Sequence, residues 1–290
     1  MNIIKAHNLA CPIDAKPLTY QEKTLVCENG HVFDIARQSY INLLPVQQKR
    51  SKQPGDSKAM VLARTEFLNS GIYEAIAKKI AEIVSAQISE ASQTSSSETC
   101  LMDSGCGEGY YFDYLFKQLI AIDSTHNLSF IGLDISKPAI AEAAKRNKQI
   151  TWIVGTNRQP PVEHSSVDIV LCVFGFQSFE GFHKILKPGG KVILVEPGPE
   201  HLQELREVIY TDVKKSPPQD LAHAEALGFT LQDTQQLQFH TDAIDNPQIN
   251  NLLIMTPYFY RASKEGREAA SKLQELQLTV DVVIRTLEKL

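Results

Sequence analysis

The sequence predicts an α/β fold, in which a central sheet is covered by helices on both faces and a small N-terminal domain precedes it. The first observation is the run D-x-G-x-G-x-G at residues 103–109, between a short apolar stretch and a helical pattern that starts at Tyr110. Glycines at such a strand–turn–helix junction let backbone N–H groups approach a ligand closely. The second observation is an apolar segment, 130–134, that ends in Asp134. A strand-end acid can accept hydrogen bonds from both hydroxyls of a ribose.

The remaining elements follow from periodicity and from helix caps. A helix is predicted to begin at Ser57 with Asp56 or Ser57 as its cap, and an amphipathic helix to run over 73–88 after a break at Gly71. Further helices are predicted over 138–146 and 246–255, and strands over 151–155, 166–174, 192–195, from Leu231 onward and around 276–283. The turn at 186–191 is predicted to end a helix before the 192–195 strand.

Composition and charge exclude several classes of protein. The chain of 290 residues can form a full α/β core with an appendage, and no apolar run approaches the ~20 residues of a membrane span. The N-terminus lacks the pattern of a signal peptide and five cysteines do not indicate a disulfide framework, so we expect a cytoplasmic protein. The net charge of −5 is uneven, because residues 1–64 carry nine Lys or Arg and five Asp or Glu. Any RNA contact is therefore expected to begin at the N-terminal end.

The N-terminal segment contains two short knuckles joined by a hairpin-like stretch, which is how small zinc ribbons are built. The first knuckle holds Cys11 and Asp14, and the second holds Cys27 and His31. A structural zinc site takes four ligands, usually Cys or His, and Asp14 stands where a second cysteine is expected. Two interpretations remain open: a zinc site with an unusual carboxylate ligand, or a ribbon that has lost its metal and keeps its hairpin by packing.

A basic loop follows the hairpin. Lys49, Arg50 and Lys52 lie between an apolar stretch at 40–44, which can pair as a strand, and a Pro-Gly turn at 54–55. Clustered cations beside a small ribbon favour contact with nucleic-acid phosphates, although a solvated linker can have the same composition. The three cations are therefore candidate RNA-binding residues.

The glycine run and the strand-end acid together resemble the motif of S-adenosylmethionine-dependent methyltransferases of the Rossmann-like class. The order of motifs along the chain resembles, more specifically, the bacterial 23S rRNA (guanine-N1)-methyltransferases. This resemblance rests on the two knuckles and on the phrases Y-x-N-L-L-P-V-Q at 40–47, P-G-D-S at 54–57, G-x-Y at 71–73, G-C-G-E-G-Y-Y at 105–111, G-L-D-I-S-K at 132–137 and P-G-P-x-H-L at 197–202. Asp14 departs from the family pattern, which has cysteine, so the family's zinc does not carry over directly.

The resemblance implies a class I methyltransferase sheet of the Rossmann-like type, preceded by a zinc-ribbon-like, RNA-contacting domain at residues 1–38. The methyltransferase domain would span 39–290, with a basic linker and helix at 39–70. S-adenosylmethionine is the implied cofactor, 23S rRNA the implied partner and a homodimer the implied assembly, with no membrane contact. The implied cofactor-binding residues are Tyr73, Asp103, Gly105, Gly107, Glu108, Gly109, Asp134, Asn157 and His201.

The segment after the fourth core strand bears on the chemistry. Many amino-methylating relatives have a Pro-Pro-Tyr or Pro-Pro-Phe phrase there, whereas residues 174–177 read F-G-F-Q, which favours a ring nitrogen over an exocyclic amine. Guanine N1 carries a proton that the enzyme has to remove. Asp56 and His201 are the candidate catalytic residues for this step.

Two alternative functions also fit parts of the sequence. A small-molecule methyltransferase of the same fold would use the appendage to close over a metabolite, and the basic N-terminal segment weighs against it. A non-catalytic RNA-binding protein would keep the fold without the activity, and the intact glycine run and Asp134 weigh against that function.

Overall fold

Most of the chain is organised around one eight-stranded sheet. In the computed structural model, which describes residues 4–49, 51–92, 98–122, 127–213 and 219–290, the strand order is β10-β13-β9-β8-β5-β6-β7-β4. The strands are β1 (Thr19–Gln21), β2 (Thr24–Val26), β3 (Val32–Asp34), β4 (Tyr40–Asn42), β5 (Thr99–Ser104), β6 (Leu128–Asp134), β7 (Thr151–Val154), β8 (Val167–Val173), β9 (Leu186–Pro197), β10 (Phe229–His240), β11 (Ile244–Asp245), β12 (Glu275–Leu276) and β13 (Thr279–Lys289). The helices are α1 (Lys58–Asn69), α2 (Glu74–Ser92), α3 (Tyr110–Ile122), α4 (Lys137–Arg146), α5 (Phe179–Ile185), α6 (Gln203–Ile209), α7 (Ala222–Ala226), α8 (Asn246–Met255), α9 (Tyr258–Arg261) and α10 (Lys264–Ser271).

Strands β4 to β9 pair in parallel, and β13 pairs antiparallel with both β9 and β10. From β5 the chain builds outward through β6 to β7 on one side, and through β8 to β9 on the other. The direction of building therefore reverses between β5 and β8, which is where open α/β sheets bind ligands. Two buried apolar clusters pack on this sheet together with the helices, which confirms the predicted α/β class.

The indole ring of Trp152 fixes the packing beneath the glycine run. The side chain is fully buried, and a Cβ on Gly132 would come within 2.2 Å of two of its ring atoms. A Cβ on Gly109 would come within 2.7 Å of the same ring. Both positions therefore require glycine, because neither the ring nor the backbone around it has room to move.

The N-terminal segment forms a three-stranded antiparallel ribbon, β1-β2-β3, that is joined to the main sheet by hydrogen bonds. The backbone N–H groups of Lys5 and Ala6 both donate to Thr151 Oγ1 at 3.0 Å. Asn8 Nδ2 donates to Ser166 Oγ at 2.8 Å. Beyond the ribbon, β4 pairs with β7, so the apolar stretch at 40–44 extends the main sheet as an edge strand.

Most element boundaries agree with the sequence prediction. Ser57 caps α1, with its Oγ accepting from the N–H of Met60 at 3.3 Å. Two strands are longer than predicted: β9 already begins at Leu186, within the predicted turn, and β13 continues to Lys289. Strand pairing explains both extensions. Leu186 pairs with Val167 of β8, and β13 pairs antiparallel with β9 up to Glu288 and with β10 up to Lys289. None of the helices in the described part of the chain has the length and apolar character of a transmembrane span.

Candidate active site

A cleft of ≈ 1070 Å³ lies at the carboxyl edge of the parallel strands. It is bordered by the turn after β5, the end of β6, the loop after β7 and the segments after β8 and β9. The predicted site residues that line it are Asp56, Tyr73, Asp103, Gly105, Gly107, Glu108, Asp134, Asn157 and His201. A large cleft at the switch point of such a sheet is the expected ligand site.

The glycine turn is held by its own backbone and by Asp134. Gly105 and Gly107 have φ angles of +89° and +56°, in the left-handed region that favours glycine. The N–H of Gly105 donates to the carbonyl of Leu133 at 2.8 Å, and the N–H of Gly107 donates to Asp134 Oδ2 at 2.9 Å. Gly109 also has a positive φ, +83°, but it is not among the residues that line the cleft. Its place beside the Trp152 ring gives it a packing role, and its cofactor contact stays a prediction.

Asp134 has a defined orientation at the end of β6. Its Oδ1 accepts from the N–H of Ser136 at 2.7 Å, and its Oδ2 accepts from Gly107. Burial raises the pKa of this carboxyl, and the two backbone N–H groups oppose the rise by stabilising the charged form. Each oxygen accepts a single hydrogen bond from the described residues, so each keeps capacity for a ligand hydroxyl.

Asp103 provides a site for positive charge. The side chain is 2% exposed, and its Oδ1 has no hydrogen-bond partner among the described residues. Burial and the nearby Asp134 raise the pKa of this carboxyl well above its ordinary value. A cationic group bound in the cleft would lower the cost of ionising Asp103, so the residues present fit a ligand that carries an ammonium or sulfonium group.

Glu108 forms an ion pair with Arg146 beside the glycine turn. It is 1% exposed, and Arg146 Nη2 donates to its Oε2 at 2.5 Å. Arg146 Nε also donates to the carbonyl of Glu108 at 3.2 Å. Burial raises the pKa of Glu108, and Arg146 opposes that rise. The pair ties the glycine turn to the end of α4.

His201 is buried with both ring nitrogens engaged. Its Nδ1 accepts from the N–H of Asp281 at 3.3 Å, and its Nε2 lies 3.3 Å from the hydroxyl of Tyr73. Burial lowers the pKa of His201 to about 4, with Asp281 opposing the shift, so the ring is neutral at pH 7. Because Nδ1 accepts, Nε2 carries the proton and donates to Tyr73. This geometry favours a positioning role over proton abstraction.

Asp56, the other candidate base, is also paired. Its carboxylate forms an ion pair with Arg64, whose Nη2 donates to the carbonyl of Met255 at 3.0 Å. The carbonyl of Asp56 accepts from Ser136 Oγ at 2.8 Å. The ion pair engages Asp56 Oδ2.

Two exposed aromatic rings at the cleft were not identified from the sequence as site residues. Phe174 and Phe176, directly after β8, are 39% and 56% exposed. The ring of Phe174 stacks on His201 with 5.8 Å between ring centroids, and the guanidinium of Arg158 lies 4.7 Å from the ring centroid of Phe176. Asn157 Nδ2 donates to the carbonyl of Phe176 at 2.5 Å. The only sequence signal was two aromatics at the end of a buried strand.

The four predicted metal ligands converge in the ribbon. Cys11, Asp14, Cys27 and His31 each offer a ligand atom, and these atoms lie within 4.8 Å of one another. His31 Nδ1 lies 3.5 Å from Cys11 Sγ, 3.3 Å from Cys27 Sγ and 3.1 Å from Asp14 Oδ2. Zinc bonds of about 2.0–2.3 Å in a tetrahedron give ligand separations of about 3.3–3.8 Å, so the donor set fits this metal. Without a metal, burial and the Asp14 contact raise the pKa of Cys11 to about 11.

The residues that flank the basic loop contact segments next to the cleft. Before it, Gln48 Nε2 donates to Gln159 Oε1, in the loop after β7, at 2.9 Å. After it, a Cβ on Gly55 would come within 2.8 Å of Ser136, just beyond β6. Lys49 and Lys52 are exposed, and Arg50 lies outside the described residues.

Replacing His201 with phenylalanine is expected to reduce the loss of stability on acidification. The folded-state pKa of His201, about 4, lies below its ordinary value of 6.5, so the unfolded chain takes up a proton first as the pH falls. Wild-type protein then loses stability from about pH 6.5 down to about pH 4, and the variant lacks this loss of about 1–3 kcal/mol. Urea unfolding at both ends of this range measures the difference. Replacing the exposed His164 in the same way should leave the wild-type loss intact, and equal losses in all three proteins would contradict the prediction.

Two family descriptions match separate parts of the chain. Residues 9–52 match the family described as "RlmA, N-terminal", of the zinc-ribbon type, and residues 101–190 match "Methyltransferase domain". The first match covers the ribbon with its metal-ligand cluster and the start of the basic loop. The second covers the strands that form most of the cleft.

Three relatives that align over two thirds or more of the chain have the same activity in their names. The 23S rRNA (guanine(748)-N(1))-methyltransferase of Streptomyces fradiae is 29% identical over 92% of this chain and 90% of its own. A candidate 23S rRNA (guanine-N(1)-)-methyltransferase of Bacillus subtilis (strain 168), YxjB, is 29% identical over 94% of each chain. A further candidate with that activity, from Micromonospora griseorubida, is 30% identical over 68% of each chain. The chain therefore belongs to this family of 23S rRNA (guanine-N1)-methyltransferases, and it is an S-adenosylmethionine-dependent methyltransferase with an N-terminal domain of the zinc-ribbon type.

Proposed function

We propose that this enzyme methylates N1 of a guanine in a hairpin of 23S rRNA. The observation that carries the proposal is one cleft in which the glycine turn and Asp134 face exposed aromatic rings, with a basic loop whose flanking residues contact segments next to the cleft. The names of relatives that align over nine-tenths of the chain support the same substrate.

The cofactor is proposed to lie along the ends of β5 and β6. Asp134 would accept hydrogen bonds from the ribose hydroxyls, and the backbone at Gly105 and Gly107 would allow close approach. Asp103, whose Oδ1 is buried and unpartnered among the described residues, would face the cationic end of the molecule. When bound, S-adenosylmethionine supplies a methyl group on a positively charged sulfur.

Substrate positioning is proposed to come from the segment after β8. Phe174 and Phe176 offer exposed rings on which a base taken out of its stem or loop can stack. Because the methyl donor is already a strong electrophile, holding the base in line with it should supply most of the rate. Removal of the N1 proton requires an acceptor, and Asp56 is the better placed candidate because both ring nitrogens of His201 are occupied.

The ribbon is proposed to hold zinc through Cys11, Asp14, Cys27 and His31. The spacing of these atoms supports the metal, and the carboxylate in place of a thiolate predicts weaker retention than a site with three cysteines. The metal would fix the two knuckles relative to one another and stabilise the ribbon beside the basic loop.

Deleting the gene should remove a primer-extension stop on 23S rRNA, because a methyl group at guanine N1 blocks base pairing. Complementation with the wild-type gene should restore the stop, and Asp134→Ala should not, since the variant loses hydrogen bonds to the cofactor. Gln232→Leu, an exposed change on β10, serves as the matched control and should restore it fully. A pattern of stops that is identical with and without the gene would sink the proposal.

Neutralising Lys49, Arg50 and Lys52 to glutamine should flatten the salt dependence of RNA binding. Each phosphate contact contributes about 0.7–0.9 to the slope of log K against log salt, so the slope should fall by roughly 2–3. The modified nucleotide should not change, because phosphate contacts carry no sequence information. Titrations of an rRNA fragment at several salt concentrations measure this.

The matched control for this experiment removes three cations elsewhere. Lys117, Lys145 and Lys148 are exposed, on α3 and at the end of α4, and do not line the cleft. Their replacement by glutamine should leave the slope as in wild type. Equal slopes for both triple variants would remove the basic loop from the RNA interface.

Replacing Asp14 with cysteine should raise the zinc affinity of the ribbon. The change restores a thiolate ligand, which zinc prefers to a carboxylate in structural sites. Elemental analysis after stepwise dialysis against a chelator gives the retained zinc. Asp34→Cys, which adds a thiol on β3 outside the cluster, should retain no more zinc than wild type. Stoichiometric zinc in wild-type protein at chelator levels that also leave Asp14→Cys loaded would show that the carboxylate does not weaken the site.

A further inference from the structure

We propose that Gln177 reads the exocyclic N2 amino group of the target guanine and so sets the base specificity of the enzyme. The inference deepens the proposed function and rests on it. It starts from a polar cluster at the cleft that neither the cofactor nor the candidate bases use, formed by Gln177, Glu196 and Arg285.

Gln177 carries an acceptor that lacks a donor. Its Oε1 is buried and has no hydrogen-bond partner among the described residues, although the residue lines the cleft. A buried acceptor without a partner is unfavourable, so such an atom requires a donor from a ligand or a water molecule. An N–H group of a bound base that reached this oxygen would remove the cost.

The orientation of the Gln177 amide is fixed by its neighbours. Its Nε2 donates to Glu196 Oε1 at 2.9 Å. Glu196 is 5% exposed, and its Oε2 accepts from Arg285 Nε at 2.8 Å and also from Nη2 of the same guanidinium. A carboxylate bound by a guanidinium accepts hydrogen bonds and donates none. The amide nitrogen therefore faces Glu196, and the oxygen is left as an acceptor for the ligand.

The location of Gln177 matches the place where a base must lie. The segment from Phe174 to Gln177 follows β8, and a Cβ on Gly105 would stand 3.7 Å from Gly175 Cα, so this segment faces the glycine turn. The exposed rings of Phe174 and Phe176 precede Gln177. A base stacked on either ring would present an edge to Gln177 while another atom of that edge faces the cofactor.

The chemistry of guanine selects the group that Gln177 can bind. The Watson–Crick edge of guanine offers the donors N1–H and N2–H₂ and the acceptor O6. N1 loses its proton on methylation, so N2 is the donor that persists through the reaction on that edge. Adenine and hypoxanthine both lack this amino group. An acceptor fixed opposite N2 therefore distinguishes guanine from either base.

The test uses two RNA hairpins that differ only in the target base. One carries guanine and the other inosine, whose base is hypoxanthine, at the nucleotide located by primer extension. Full-length enzyme and radiolabelled S-adenosylmethionine give kcat/KM for each. Wild-type enzyme should methylate the inosine RNA about tenfold more slowly, the effect of one lost hydrogen bond to a group left buried.

The variant Gln177→Met closes a double-mutant cycle with the same RNAs. It should be about tenfold slower than wild type on guanine, and its rates on the two RNAs should be nearly equal, because the interaction is already absent. Gln232→Leu should keep the wild-type preference for guanine. Calorimetric titration with S-adenosylmethionine checks that Gln177→Met binds the cofactor as wild type does, which separates base recognition from a damaged cleft.

The outcomes are distinguishable. Equal rates of wild-type enzyme on guanine and inosine overturn the inference and leave the proposed function standing, and this result does not depend on any variant folding. A Gln177→Met enzyme that keeps the wild-type preference for guanine also overturns it, because N2 is then read by another residue. Absence of methyl transfer to the guanine RNA by wild-type enzyme overturns the proposed function and the inference together.

Discussion

The position of the glycine turn depends on the indole ring of Trp152. The ring fills the space between β6, β7 and α4, and its Nε1 donates to the carbonyl of Asn147 at 2.7 Å. This large side chain fits because Gly132 and Gly109 carry none. Gly109 therefore serves packing, whereas Gly105 and Gly107 line the cleft. One short motif thus meets two separate physical requirements.

The sequence was sufficient for the sheet and most helices because their signals are local. Buried strands appear as apolar runs, and Ser57 marks the start of α1 by capping it. The extent of β9 and β13 was underestimated for the opposite reason. The added length of β13 comes from pairing with β9 and β10, and β9 begins early because Leu186 pairs with Val167 of β8. Neither segment alone shows that it will be a strand there. Turn residues at 186–191 were consequently predicted to lie outside the sheet.

The difference between local signals and long-range partners also applies to the site residues. Asp103, Gly105, Gly107 and Asp134 lie in local motifs, and the structure places all of them at one cleft. The state of His201 was not predictable, since its low pKa comes from burial and its fixed tautomer from a backbone N–H eighty residues away, at Asp281. When the role of a residue depends on partners distant in the sequence, only the structure reveals that role.

The antiparallel strand β13 supplies these distant partners. By inserting between β9 and β10 it places Asp281 under the loop after β9, where Asp281 Oδ2 accepts from the N–H of Glu200 at 3.0 Å. Four residues further along the same strand, Arg285 reaches Glu196. The parallel strands thus carry the glycine turn and Asp134 at the cleft. Strand β13 holds the segment after β9 in place through Asp281 and Arg285.

The buried pair of Glu196 and Arg285 is difficult to explain by stability alone. Removing two charges from water costs on the order of several kcal/mol, and an apolar pair of similar volume is often at least as stabilising as a buried ion pair. Orientation offers a reason for keeping it, because the Glu196 carboxylate, bound by Arg285, accepts from Nε2 and so sets which end of the Gln177 amide faces the cleft. An apolar replacement would leave that amide free to turn. Under the proposal that Gln177 reads guanine, the ion pair serves recognition at a cost in stability.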